Sequence, residues 1–180
     1  MVQKTPIVAV VGFSKSGKTA IMEYIISNLT KEGFNVGTIK HIQNPRHSMD
    51  VKGKDSWRHS KAGAKVVICS SPNETAVFRK RENGIESIEE VLNLLKGENL
   101  DLILVEGFRS KVGSRHDIHK IVVVKKEREV TEAIRDKLDP LLALVGPAEL
   151  VNRTPRMKTP FLNLQKDGEQ LSKLVRNLLS

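Results

Sequence analysis

Gly12-Phe13-Ser14-Lys15-Ser16-Gly17-Lys18-Thr19 is the stretch on which the fold turns. It fits in full the pattern of one glycine, four residues, then Gly-Lys-Thr. Each part has a physical reason. Gly12 and Gly17 permit backbone angles that other residues resist. The loop then wraps so that its N–H groups face phosphate oxygens. The helix after it presents an N-terminus, where free N–H groups and the dipole favour an anion. Lys18 is placed to reach the β and γ phosphates, and the Thr19 hydroxyl to bind Mg²⁺. The expected nucleotide contacts are Gly12, Ser14, Lys15, Ser16, Gly17, Lys18, Thr19 and Ala20.

The flanks supply the context that the motif needs. Ile7 to Val11 is a continuous apolar run, which predicts a strand buried on both faces. After the motif, Ile21, Ile25 and Leu29 fall on one face of a helix from about Gly17 to Lys31, with Gly33 as its stop. Further along, strands are expected at Phe34–Ile39, Leu102–Val105, Ile121–Val124 and Leu141–Val145. Helices are expected from about Asp55 to Ala62, from the capping box Ser87-Ile88-Glu89-Glu90 to about Lys96, and from Gly168 to Leu178 with Asp167 as N-cap. Val66–Ser70 and Thr75–Arg79, joined by Ser71-Pro72-Asn73-Glu74, read as an antiparallel hairpin. Alternation of strand and helix predicts an α/β class: a P-loop NTPase fold with a mostly parallel sheet covered by helices and the hairpin at one edge. At 180 residues, with no repeats or linkers, one domain over 1–180 is expected.

Composition narrows the partners. The single cysteine, Cys69, excludes an internal disulfide, and its apolar run predicts a small core residue in a reduced compartment. The N-terminal apolar run is too short for a membrane span and lacks a cleavage region, so a soluble, cytoplasmic protein with no membrane partner is expected. A net charge of +9 favours an anionic partner. With one Trp and one Tyr there is little to stack single-stranded bases on, and nucleic acid is not expected as a partner.

A phosphate cradle needs a second acidic group near its metal. Asp101-Leu102-Ile103-Leu104-Val105-Glu106-Gly107 is the good candidate. Asp101 starts the strand, about 15 Å from its far end at about 3.3 Å per residue. Ligands sit at the carboxyl ends of parallel strands, so Glu106 is the expected Mg²⁺ and water contact beside Thr19, and Lys18 and Glu106 are the expected catalytic pair. A basic segment covers Lys40, His41, His47, Asp50, Lys54, Asp55 and Arg58. Lys40, His41, Lys54, Asp55 and Arg58 are assigned to a second anion or cofactor, with Gly53-Lys54-Asp55-Ser56 as a turn opening a helix. Zinc at His41, His47 and Asp50 and a plain solvated loop are the alternatives.

Taken together these residues resemble the MobB family, the B protein of molybdopterin guanine dinucleotide biosynthesis. The resemblance rests on the phosphate loop, Thr38-Ile39-Lys40-His41, Gly53-Lys54-Asp55-Ser56 followed by Ala62-Gly63-Ala64, and Leu102-Ile103-Leu104-Val105-Glu106-Gly107-Phe108. It covers about residues 5 to 125, and Phe161-Leu162-Asn163-Leu164 resembles the family's last strand. It implies a GTP-binding, Mg²⁺-dependent homodimer with slow hydrolysis. It also implies an adaptor role alongside the molybdenum cofactor guanylyltransferase and the molybdopterin cofactor. One departure is Lys52, where the family usually has proline before the Gly-Lys-Asp-Ser turn. No Asn/Thr-Lys-x-Asp motif reads guanine here, and Gly146-Pro147 is the expected base contact. A small-molecule kinase with Arg109 and Arg115 in a lid is the main rival; a metallochaperone GTPase and a DNA-partition ATPase are the others. The hairpin of Val66 to Arg79 is the expected dimer interface.

Overall fold

The computed structural model describes residues 5–44, 47–81, 84, 87–136, 138–153 and 157–179. Met1 to Lys4, at the start of the N-terminal run, lie outside them. The chain divides into two compact units, residues 1–41 with 87–180, and residues 42–86.

In chain order the elements are β1 (Ile7–Gly12), α1 (Lys18–Lys31), β2 (Val36–Lys40), α2 (Asp55–Lys61), β3 (Val66–Ser70), β4 (Thr75–Arg79) and α3 (Glu89–Leu92). There follow β5 (Leu102–Glu106), α4 (Arg109–Val112), β6 (Ile118–Val123), α5 (Glu127–Arg135), β7 (Leu141–Val145), α6 (Ala148–Arg153), β8 (Phe161–Leu162) and α7 (Leu164–Arg176). A short 3-10 turn, Asn93–Leu95, extends α3.

Six strands form the sheet of the larger unit, in the order β2-β5-β1-β6-β7-β8, and every pairing in it is parallel. The apolar run of β1 explains its central place. Val8 and Val10 face one side, Ala9 and Val11 the other, and all four are fully buried. On the first side they meet Leu102 and Leu104 of β5, Ile121 and Val123 of β6, and a helical layer of Ile21, Ile25 and Leu29 from α1 with Leu171 and Val175 from α7. On the other side Ile103, Val105, Val122 and Leu144 are also buried. Helices on both faces are what a parallel sheet of this kind requires.

Most predicted elements appear, and β3, β4 and β7 have the expected boundaries. Three features differ. The hairpin is a two-stranded sheet of its own rather than an edge of the main sheet. Strand pattern specifies that two segments pair; it does not say which sheet they join. Cys69 is exposed and not a core residue; Val67 is the one buried residue of β3. Lastly, α7 begins at Leu164 with Asn163 as N-cap, its Oδ1 accepting from the Lys166 N–H at 3.2 Å. Asp167 lies at a kink inside α7, and its carboxylate accepts from the Asn163 N–H at 2.8 Å. The sequence reading does not anticipate α4, α5 and α6. These are short, and α5 is so charged (Glu-Arg-Glu-Val-Thr-Glu-Ala-Ile-Arg) that its buried face reduces to Glu129, Val130 and Ala133.

Leu104 is fully buried in this core. Leu104→Ala is expected to lower the free energy of unfolding by about 2–5 kcal/mol, the range for truncating a packed core leucine. Chemical denaturation measures it, and a loss below about 1 kcal/mol would contradict the packing described.

Candidate functional site

The loop between β1 and α1 takes its shape from three backbone positions. Gly12 has φ 153° and Gly17 φ 100°, and Lys15 sits at φ 57° although it carries a side chain. Left-handed residues within such a loop turn successive N–H groups to one side and make a concave nest for an anion. Gly12 lies so close to β6 that a Cβ there would stand 2.5 Å from the Val123 carbonyl oxygen. Gly17 is the N-cap of α1 and supplies no side chain to it, so the first N–H groups of the helix are left for a ligand. Among the described residues, the buried Ser16 hydroxyl has no hydrogen-bond partner. A loop with an orphaned hydroxyl, uncapped helix N–H groups and no room for a Cβ fits a bound polyphosphate.

Lys18 completes the loop. Its Nζ donates to the carbonyl oxygens of Gly12, at 3.2 Å, and Phe13, at 2.7 Å. Burial pulls its pKa below that of an ordinary lysine; the Glu106 carboxylate opposes this, and the Lys40 ammonium adds to it. The charge is held by carbonyl dipoles and not by a fixed ion pair, so it is available to a stronger anion.

β5 delivers Glu106 to the same edge of the sheet. It sits in register with Val10 of β1, two residues before the loop begins. The Thr19 hydroxyl lies 3.4 Å from both Glu106 oxygens. A hydroxyl and a carboxylate side by side are hard oxygen donors of the kind Mg²⁺ takes, so this pair fits that ion. Lys40, in register with Glu106 on the neighbouring strand, places its Nζ 3.0 Å from Oε2 and 3.2 Å from Oε1. The sequence groups Lys40 with the basic segment; the sheet also puts its ammonium on Glu106. The signal available in the sequence is its position as the last residue of a strand, but the strand order that brings it beside Glu106 is not written there.

After Glu106 the chain turns sharply through Gly107 and Phe108, at φ 94° and 58°. The turn stacks Phe108 on His41, with ring centroids 4.1 Å apart, and the His41 N–H donates to the Glu106 carbonyl at 2.9 Å. His41 is thus part of the wall behind Glu106. Arg109 follows, its guanidinium 5.8 Å from the centre of the Phe13 ring and 2.7 Å from Asp136, whose carboxyl it holds below the usual range. Arg115 pairs with Asp117 at 2.7 Å and with Glu89. Both arginines of the kinase reading are therefore held in ion pairs.

Lys54, Asp55 and Arg58 belong to the smaller unit. Lys54 is the extended N-cap of α2, and Arg58 faces Asp55 at 3.5 Å on an exposed surface. In the same unit Ser56 donates to Asp50 at 2.8 Å, which ties the helix to the loop before it. Among the described residues no three His, Cys, Asp or Glu side chains converge, so the zinc grouping of His41, His47 and Asp50 is not assembled. No described helix is long and apolar enough to cross a membrane.

A parallel sheet with a glycine-rich cradle at the end of its central strand, a lysine and threonine opening the next helix, and an acidic residue ending the neighbouring strand define a P-loop NTPase fold. The family model described as "Molybdopterin guanine dinucleotide synthesis protein B" (MobB) matches residues 7–147. The chain belongs to the MobB family. It is 30% identical over 134 residues to the molybdopterin-guanine dinucleotide biosynthesis adapter protein of Haemophilus influenzae, covering 74% of each chain. It is 32% identical to a putative adapter protein of the same name from Methanocaldococcus jannaschii, over 72% of this chain but only 51% of that relative's length. Among solved structures, a MobB homolog from Bacillus stearothermophilus superposes with TM-score 0.69 at 25% identity, covering 96% of this chain and 97% of that one. Bacillus subtilis MobB shares the fold with TM-score 0.77 at 24% identity, covering 97% and 98%.

Gly12→Ala is expected to destabilise the protein by about 1–3 kcal/mol, the usual cost of forcing an extra carbon against atoms that cannot yield. The obstruction is the backbone carbonyl of Val123, which cannot rotate aside. Urea denaturation of the purified variant reads this, and wild-type stability would contradict the close approach of loop and β6.

Proposed function

We propose that this chain is a GTP-binding adaptor that assists the formation or delivery of molybdopterin guanine dinucleotide in the cytoplasm. The observation that carries the nucleotide part is the convergence of Lys18, Thr19 and Glu106 at the uncapped start of α1. The adaptor part is supported by the relatives named above. Its partners are then the guanylyltransferase that makes the dinucleotide bond and the molybdopterin cofactor itself. Lys54 and Arg58, exposed in the smaller unit, are the proposed contacts for a second anionic ligand such as the pterin phosphate.

The site has a direction. Thr19 and Glu106 gather on the β5 side of the cradle, so that side takes the metal and the terminal phosphate. The nucleoside then extends the other way, over the carboxyl ends of β6, β7 and β8. Gly146-Pro147, directly after β7, is the proposed base contact; the Gly146 carbonyl is held by Asn163 Nδ2 at 3.0 Å. Hydrolysis is slow in this reading. The residues flanking the cradle include no glutamine to orient a water, and Arg109 and Arg115 are held by carboxylates.

Titration of GTP and of ATP against the wild-type protein and Lys18→Ala, with and without Mg²⁺, tests the reading. GTP is expected to bind more tightly than ATP. Lys18→Ala is expected to lose triphosphate binding while keeping its circular dichroism spectrum, and wild-type turnover is expected to stay below about 1 s⁻¹, the activated range. Undiminished affinity in folded Lys18→Ala would sink the assignment.

A homodimer is proposed through the hairpin. Val66, Ile68 and Val77 are 45%, 64% and 54% exposed, with Ile68 directly opposite Val77 in the antiparallel register. Val67 faces the other way and is buried, so the outward apolar row is these three. A row of this kind on a two-stranded sheet invites a second copy. Sedimentation at micromolar concentration is expected to show twice the 20.1 kDa chain mass, and Ile68→Lys with Val77→Lys to give single chains. A monomeric wild type overturns the dimer; a dimer that survives both lysines overturns this interface.

A further inference from the structure

One carboxylate in the site has two claimants. Glu106 ends β5 and Lys40 ends β2, and the two residues are opposite each other in the parallel register. Residues at one level of adjacent parallel strands project to the same face. The Lys40 ammonium therefore meets both Glu106 oxygens, at 3.0 and 3.2 Å, on the carboxylate that the Thr19 hydroxyl approaches at 3.4 Å. The pair is unequal in exposure. The Glu106 side chain is 13% exposed, whereas that of Lys40 is 57% exposed on a long flexible stem. Lys40 and Thr19 thus share the carboxylate that would hold a divalent cation.

We propose that Lys40 is a triphosphate-reading residue: its ammonium holds Glu106 while the site is without nucleotide, and moves to the terminal phosphate when a metal–triphosphate binds. This rests on the nucleotide reading above. A divalent cation on Glu106 repels the ammonium on the same carboxylate and weakens that pair. Lys40, on the longer and more exposed stem, is the partner that yields. It stands on the β5–β2 side of the cradle, the side of the terminal phosphate, so that phosphate is the anion within its reach. A diphosphate offers no such anion, and there Lys40 goes to solvent. The residue thus adds to triphosphate affinity alone, and it competes with the metal for either nucleotide.

The experiment measures GTP and GDP affinity at saturating Mg²⁺ for the wild type, Lys40→Met, Lys40→Arg and Lys18→Ala, and the Mg²⁺ midpoint for GDP binding. Lys40→Met is expected to lower the ratio of GTP to GDP affinity at least about tenfold, the scale of one hydrogen bond to a charged group. Lys40→Arg keeps the charge and is expected to retain most of the ratio. The Mg²⁺ midpoint is expected to fall in Lys40→Met, because the competing ammonium is gone. A wild-type ratio in folded Lys40→Met, or a midpoint that rises, overturns the proposal while leaving the nucleotide reading intact if Lys18→Ala still loses binding. A wild type that binds neither nucleotide, indistinguishable from Lys18→Ala, takes down the reading and the proposal together.

Discussion

The constraint from which the rest follows is the position of β1. It is hydrogen-bonded to β5 on one side and to β6 on the other, and it is buried on both faces. A strand so enclosed cannot shift, and its carboxyl end projects from the middle of the sheet. The phosphate loop starts there, and the contact of Gly12 with the Val123 carbonyl ties the loop to β6 as well. The strain of Lys15 and the positive φ at Gly17 are tolerable because the strand before the loop and the fourteen-residue helix after it are both anchored in one core.

Around that fixed point the electrostatics balance few charges. Lys18 and Lys40 both feel one carboxylate, Glu106, which the Thr19 hydroxyl also approaches. The local excess of positive charge, two ammonium groups to one carboxylate, is what a polyphosphate needs. Behind Glu106 the stacked pair His41 and Phe108 fills the turn through Gly107, so the carboxylate is backed by packing. Arg109 and Arg115 serve the structure through Asp136 and Asp117. That is a reason to favour a binding protein over a kinase, whose lid would need those cations free.

The smaller unit follows a different logic. With a seven-residue helix and two five-residue strands, it has little apolar surface to cover both faces of its hairpin. Val67 is buried, while Val66, Ile68, Val77 and Cys69 are left exposed. A large apolar row in water is costly for a monomer and useful for an assembling protein.

How much of this was legible depends on the range of the interaction involved. Local patterns sufficed for β1 and α1, since an apolar run and an i, i+4 stripe of Ile21, Ile25 and Leu29 need no distant partner. The cradle was legible for the same reason: Gly12 to Thr19 are consecutive, and their chemistry is set by backbone angles within eight residues. The nearness of Glu106 to Thr19 was foreseeable because both sit at the carboxyl edge of a parallel sheet. Short segments with few apolar residues were not legible; α5 has five charged residues in nine and buries only Glu129, Val130 and Ala133. The start of α7 was misplaced because Asp167 is a good capping residue, yet Asn163 takes that role while Asp167 supports it from the kink. By itself the sequence determined the class of fold, the turn from Gly12 to Thr19 and the strand end that carries Glu106. The tertiary structure alone decided that Lys40 pairs with Glu106 and that the hairpin stands as its own sheet, because strand order and register join residues that lie 66 apart in the chain, and no local pattern encodes a pairing at that distance.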